Sequence, residues 1–110
     1  MLSVVGDAIM GQLTEQVVNC RVNGRITIGK SNAIVRDVVL ISDNIGSNAI
    51  TLSANVTGAS VMGCRIQIDN YNTIKENAGC NYNLICNNIL NKEVSKVGAN
   101  SVFSNNLIVE

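Results

Sequence analysis

Short apolar runs alternate with turn-forming residues along most of the chain. The runs are rich in Val and Ile, as at 25–28, 38–41 and 65–68, and Gly, Asn, Ser or Asp separates them. Strands joined by turns show this pattern, whereas an amphipathic helix repeats its apolar residues every three or four positions. The pattern therefore predicts an all-β chain.

An internal repeat organises these runs. One motif (apolar, any, small or polar, Cys/Asn/Val, any, apolar) recurs in steps of 18, 26, 23 and 18 residues, and a second series of strands recurs in steps of 24, 24 and 23. Two interleaved series with a common period predict stacked coils, each with at least two strands, which is a parallel β-helix. The motif starts at Val17, Val35, Val61, Leu84 and Val102, and the second series contains Ile26, Ile50, Ile74 and Val97.

The repeat predicts one domain of about four to five coils over residues 1–110, with the length variation in turns near 42–47 and 69–72. Residues 1–16 are interpreted as a partial first coil or cap, and residues 17–109 as the repeated coils. Aligning the motifs predicts two inward-facing columns. One contains Cys20, Val38, Cys64, Asn87 and Asn105, and the other contains Val22, Leu40, Ile66, Ile89 and Leu107.

The same alignment places large apolar residues on the outer face. Side chains alternate between the two faces of a strand, so Val39, Ile41, Leu90 and Ile108 are predicted to point outward. A column of exposed apolar residues over several coils indicates an interface. We therefore expect a homo-oligomer of parallel copies.

Two of the repeats, at 83–89 and 101–107, resemble coils of the right-handed parallel β-helices of the pectate-lyase-like superfamily. That superfamily includes polysaccharide lyases, polygalacturonases, and tailspike and neck-appendage proteins of tailed phages. The resemblance covers residues 17–109 and implies a right-handed solenoid. Within that superfamily the chain is most similar to a coil segment of a phage tailspike or neck-appendage protein, and this resemblance implies a trimer of parallel copies.

A left-handed alternative comes from a second pattern. Apolar residues also follow a six-residue grid, which is typical of left-handed hexapeptide-repeat proteins, but the grid fails at Gln16, Gly46 and Gly58. The left-handed solenoid therefore stays open as the second interpretation. The residues on the grid are Val4, Met10, Val22, Ile28, Ile34, Leu40 and Leu52.

Composition narrows the possible functions. The chain has eight basic and eight acidic residues, so it lacks the net positive charge that favours binding to nucleic acid. It has no histidine, which is the commonest general base and the commonest metal ligand in proteins. No apolar run approaches the length that spans a bilayer. We expect no nucleic-acid partner, no membrane insertion, no metal and no cofactor.

The reactive side chains do not form a recognisable catalytic set. The four cysteines, Cys20, Cys64, Cys80 and Cys86, lack metal-site spacing and are interpreted as small buried apolar residues. Among the carboxylates, only Asp69 and Glu76 are predicted to fall near each other. The chain itself is therefore expected to be non-catalytic, although the parent protein could carry an active site on other coils.

The resemblance implies a structural segment of a phage tailspike or appendage that contacts a host-surface polysaccharide, on the virion or outside the cell. Arg65, Asp69, Tyr71 and Tyr82 are the predicted sugar-binding side chains. The alternatives are a fragment of a polysaccharide lyase or glycoside hydrolase, and a left-handed hexapeptide-repeat scaffold.

Overall fold

The three-sided winding of the backbone is visible throughout the computed structural model, which describes residues 2–5, 8–10, 16–42, 46–69 and 71–109. Within these residues the chain forms sixteen strands in three sheets. Every strand pairing is parallel, and each strand pairs with strands one turn of the chain before or after it. The chain is therefore an all-β parallel solenoid, as the repeat predicts.

Sheet A contains six strands: β1 (Leu2–Val5), β4 (Cys20–Asn23), β7 (Val39–Ser42), β10 (Arg65–Ile68), β13 (Ile89–Leu90) and β16 (Leu107–Ile108). Sheet B contains five: β2 (Ala8–Met10), β5 (Ile26–Ile28), β8 (Ile50–Leu52), β11 (Ile74–Glu76) and β14 (Val94–Ser95). Sheet C also contains five: β3 (Gln16–Val18), β6 (Ile34–Arg36), β9 (Ser60–Met62), β12 (Leu84–Cys86) and β15 (Val102–Ser104).

Each coil thus has three strands, where the sequence predicts at least two. The strands before residue 17 already pair in register with the second coil, as Ser3 with Arg21 and Ala8 with Ile26. The second strand series ends at Val94, which pairs with Ile74, and the choice of Val97 for that position is wrong. Among the turns from sheet A to sheet B, the longer ones lie between β7 and β8 and between β10 and β11, close to the predicted insertions.

A short corner of one or two residues connects sheet C to sheet A after each sheet C strand, and one residue in each corner has a left-handed backbone. The corner residues adopt positive φ, with values from 52° to 66°. Asn, Asp and Gly tolerate this left-handed conformation better than other residues, which explains the asparagines near the repeat motif. The corner residues are Asn19, Asp37, Gly63, Asn87 and Asn105.

The corner corrects the predicted inward columns. Arg65 pairs with Ile89, and Ile89 pairs with Leu107, so Asn87 and Asn105 belong to the corner and not to the core. The sequence alignment was one residue out of register over the last two coils, and a slip of one residue exchanges the two faces of a strand. The inward column of sheet A is therefore Val22, Leu40, Ile66, Leu90 and Ile108.

The core lies inside the solenoid and consists of stacked apolar side chains. In sheet B, Ile26, Ile50 and Ile74 are fully buried one above another. Since strands in successive coils are about 4.8 Å apart, each side chain in such a column contacts its counterparts directly. The direction in which the coils ascend is not fixed by the strand pairing, so right-handed winding stays a prediction.

Candidate functional site

A groove on the outer face of sheet A is the candidate binding site. It has a volume of about 360 Å³ and lies over β10 and β13. Arg65 and Gln67 of β10 line it on one side, Ile89 and Asn91 on the next coil, and Val109 on the last. The register explains this grouping, because Arg65 pairs with Ile89 and both point away from the core.

The groove exists because sheet A narrows towards its end. Strand β10 has four residues, whereas β13 has two. Where β13 stops, the side chain of Asn91 takes over the pairing: its Oδ1 accepts the Ile68 N–H at 2.9 Å, and its Nδ2 donates to the Ile68 carbonyl at 2.6 Å. An amide side chain can replace a peptide group in this way because it carries one acceptor and two donors.

The lining combines polar side chains with apolar ones. Arg65 and Gln67 are exposed and can donate hydrogen bonds, while Ile89 and Val109 present apolar surfaces that are 43% and 53% exposed. A pyranose ring has both hydroxyl groups and an apolar C–H face. The arrangement can therefore bind a sugar through hydrogen bonds on one side and apolar packing on the other.

Only one of the four predicted sugar-binding residues lines this groove. Arg65 does, whereas Asp69 follows β10 and is exposed, Tyr71 lies in the turn between β10 and β11, and Tyr82 lies in the turn between β11 and β12. The two tyrosines are therefore on turns at opposite ends of the same sheet B strand. Both adopt positive φ, 70° and 56°, which is rare for aromatic residues.

The sequence missed the other groove residues because of the register slip. With Leu90 assigned to the outer face, Ile89 was assigned to the inner one, and Asn91 was not recognised as a neighbour of Gln67. The corner asparagines were the signal that would have corrected this, since a residue in the left-handed conformation turns the chain between two sheets and must be counted outside the strand.

The same slip affects the predicted interface residues. The placement of Leu90 on the outer face is wrong: it is 1% exposed and belongs to the core cluster. Ile108 pairs with Leu90 and is likewise in the inward column, but it is 42% exposed because it lies on the edge strand of sheet A. Val39 and Ile41 are half-buried at outward positions, as predicted.

A second polar cluster is enclosed inside the solenoid. The carboxylate of Glu76 is 2% exposed, although the positions before it in the same column are the apolar Ile28 and Leu52. Its Oε1 accepts the backbone N–H groups of Val97 and Gly98 at 3.0 and 3.1 Å. Its Oε2 accepts from the amide of Asn83 at 2.7 Å and from the hydroxyl of Ser101 at 2.6 Å.

These four hydrogen bonds decide the protonation of Glu76. Burial by itself raises the pKa of a carboxyl group, but donors that favour the charged form lower it. The hydrogen bonds from Asn83, Ser101, Gly98 and Val97 outweigh burial and hold the pKa of Glu76 below its usual value. The carboxylate is therefore charged at neutral pH without a paired cation among these donors.

The four cysteines are free and buried. Burial raises the pKa of the Cys64 thiol to about 11, and burial also raises the pKa of Cys20. Since the thiolate is the reactive form, Cys64 and Cys20 are poor nucleophiles and poor metal ligands. Cys20, Cys64 and Cys80 belong to the apolar core cluster, in agreement with the prediction that the cysteines are small buried residues.

The carboxylates do not converge on one accessible place in the part of the chain that the structure describes. Asp69 is exposed after β10, whereas Glu76 is enclosed, so the pair does not share a solvent-accessible site. Within the same residues no group of three or more His, Cys, Asp or Glu side chains could hold a metal ion.

The strand pairing defines this chain as a member of the class of parallel β-solenoid proteins. Comparison with family models, curated proteins and solved structures found no match to the chain. Among the described residues, no helix is long and apolar enough to cross a bilayer.

Proposed function

We propose that this chain is a structural β-solenoid segment of a phage tailspike or neck appendage, acting on the virion or outside the cell, and that its sheet A groove contacts a host-surface glycan. The observation that carries the proposal is the groove itself, which joins Arg65 and Gln67 to the apolar Ile89 and Val109 on a regular parallel sheet. The segment supplies binding and support and performs no chemistry itself.

The architecture suits a supporting role. Each coil is bonded to the next along three sheets, and within the described residues every buried side-chain N or O atom has a hydrogen-bond partner. Fully satisfied polar networks favour one rigid arrangement. A rigid solenoid holds binding groups at fixed positions, which reduces the entropy cost of binding a flexible polysaccharide.

The test is a titration of ¹⁵N-labelled protein with neutral and acidic oligosaccharides. We expect the amide signals of β10 and β13 to shift, and the variant Arg65→Ala to weaken binding about tenfold. The control is Lys75→Ala, which removes a cation from the outer face of sheet B. Shifts confined to the Tyr71 and Tyr82 turns would move the site away from the groove, and no shift with any sugar would overturn glycan binding.

We further propose that the trimer forms through sheet C, leaving the sheet A groove open. The outward positions of sheet C include Ile34, Leu84 and Val102, which are 37%, 37% and 50% exposed and occupy one column. On sheet A, by contrast, the outward Val39 lies between Arg21 and Arg65. The outward positions of sheet C carry one cation, Arg36, whereas those of sheet A carry two, and the face with fewer charges is the better one for close packing of copies.

Light scattering on a sizing column distinguishes the two faces. We expect a particle of three chains that Leu84→Asp dissociates and the matched Val39→Asp leaves intact. The opposite result would place the interface on sheet A, as the sequence predicts, and a wild-type monomer would overturn the trimer.

A further inference from the structure

The buried Glu76 cluster connects three successive coils. When the coils are counted from β1 with three strands each, the carboxylate is on β11 in the fourth coil. Three of its four donors belong to the turn before β15 in the fifth coil: the N–H groups of Val97 and Gly98 and the hydroxyl of Ser101. The fourth donor, Asn83, also bonds the N–H of Ala59 and the carbonyl of Val56 in the third coil. One carboxylate therefore anchors the last turn to the coils before it.

The turn is shaped to fit the carboxylate. Two consecutive backbone N–H groups aimed at one oxygen form an anion-binding concavity of the kind found at phosphate sites. Position 98 has no room for a side chain, because a Cβ there would lie 2.6 Å from the carbonyl oxygen of Cys80 and 2.6 Å from the hydroxyl of Ser101. The backbone can therefore approach Glu76 closely only with glycine at this position.

The turn at 97–101 lies outside the strands, so it has no strand pairing of its own. The strands around it are short: β14 pairs through two residues, β15 through three and β16 through two, and Val102, Leu107 and Ile108 are all at least 42% exposed. Segments with little buried apolar surface open locally at a lower free energy than the core does. The order of the turn consequently depends on the hydrogen bonds that Glu76 accepts.

We propose that the Glu76 carboxylate is a latch for the fifth coil: while ionised it holds the Val97–Ser101 turn against the fourth coil, and its protonation releases the turn together with β15 and β16. A protonated carboxyl group carries one hydrogen that must be donated. It would then face four donors with too few acceptors, and buried donors left without acceptors are costly.

The other titratable groups nearby do not replace this role. Cys80 precedes β12 and directs its thiol to the Ser53 carbonyl at 3.0 Å, away from the carboxylate. Lys75 is on the outer face of β11, and the exposed Lys96 places its ammonium 6.0 Å from the centre of the Phe103 ring. Glu93, before β14, is exposed. Glu76 is therefore the group whose protonation removes acceptors from the turn.

The sign of the pH dependence follows from the lowered pKa of Glu76. A carboxyl group whose pKa is lower in the folded state stabilises that state above its unfolded pKa, and this stabilisation is lost as the pH falls through the folded value. Release is therefore expected below pH 4.5, the ordinary value for this group. Above that pH the latch is closed.

The test is a ¹H–¹⁵N titration of the whole chain from pH 7 to pH 2.5. We expect the Val97 and Gly98 amides and the signals of 102–108 to change together below pH 4.5, before those of β5 and β8 change. In Glu76→Gln we expect hydrogen exchange in the fifth coil to be about tenfold faster at pH 7 and the low-pH transition to be absent. The matched control Glu93→Gln should behave as the wild type does.

Two outcomes would overturn the latch. One is a fifth coil whose signals stay unchanged to pH 2.5, and the other is loss of all coils together at a single pH. If Glu76→Gln does not fold, the wild-type titration alone decides, because it compares the fifth coil with β5 and β8 in the same sample.

Discussion

Asn88 and Asn106 are stacked in the solenoid so that the Nδ2 of Asn88 donates to the Oδ1 of Asn106 at 2.9 Å. Each also bonds backward to the preceding coil in the same way. Asn88 accepts the Cys64 N–H and donates to the Val61 carbonyl, and Asn106 accepts the Asn88 N–H and donates to the Ile85 carbonyl. The inward asparagines are therefore a ladder that bonds the backbone beside the corner.

Removing one rung should destabilise the fold. In Asn88→Ala the buried Cys64 N–H and the Val61 carbonyl lose their side-chain partner, and each unsatisfied buried group costs about 1–3 kcal/mol. We expect chemical denaturation to show a loss of about 2–4 kcal/mol in the free energy of unfolding. Asn100→Ala, at an exposed turn position, is the control and should change stability by less than about 0.5 kcal/mol. Equal effects of the two substitutions would contradict the ladder.

The glycine at the third corner meets two separate conditions. Gly63 has a φ of +66°, which favours glycine, and a Cβ at this position would lie 2.5 Å from the Oδ1 of Asp37 in the coil before, so that this exposed carboxylate would have to move. Gly46 has a similar φ of +73° with nothing within 4 Å, so Gly46→Ala measures the backbone cost alone.

We expect Gly46→Ala to lower the free energy of unfolding by about 1 kcal/mol and Gly63→Ala to lower it by at least about 2 kcal/mol. Adding Asp37→Gly to Gly63→Ala should recover the excess, as a double-mutant cycle would measure. Additivity of the two substitutions would show that Asp37 and position 63 do not interact.

The corrected register makes opposite predictions for two neighbouring residues. Leu90 is buried at 1% exposure, so Leu90→Ala should cost about 2–5 kcal/mol, the usual range for a core leucine. Ile89 is 43% exposed, so Ile89→Ala should cost less than about 1 kcal/mol. Thermal unfolding of the two variants, which differ in one position along the same strand, measures this directly. A larger cost for Ile89→Ala than for Leu90→Ala would support the register predicted from the sequence, in which Ile89 points inward.

Alkaline pH should destabilise the protein through Cys64. Its pKa is raised to about 11 in the folded state from 9.0, so above pH 9 the unfolded chain loses this proton first and binds fewer protons than the folded chain. Stability should consequently fall between pH 9 and pH 11, by on the order of 2 kcal/mol.

Urea unfolding of the wild type and Cys64→Ala across this pH range checks the expectation, since the free energy of unfolding should fall less steeply with pH in the variant. A thiol reagent at pH 8 should label the four buried cysteines only as fast as the protein opens. Rapid labelling of all four in the native state would show that they are accessible.

Much of this fold is predictable because the repeated coils of a solenoid produce a periodic pattern in the sequence. The recurrence of the strand motif led to stacked parallel coils, and the Gly- and Asn-rich segments located the turns. The binding groove was less predictable. Arg65 was found because it is a cation beside a strand, but Ile89, Asn91 and Val109 join it only when strands about 20 residues apart are placed in register.

The sequence by itself determined the strand character, the repeat and the inward positions of β4, β7 and β10, because period-two alternation and β-branched residues are local properties of the chain. Tertiary structure alone decided the face of Leu90, the role of the corner asparagines and the enclosure of Glu76. Each of these depends on backbone conformation or on donors from another coil, such as Val97 and Ser101. A slip of one residue in the alignment exchanges the inner and outer side chains of a strand, and the strand pairing decides which of two adjacent asparagines, such as Asn87 and Asn88, is the corner residue.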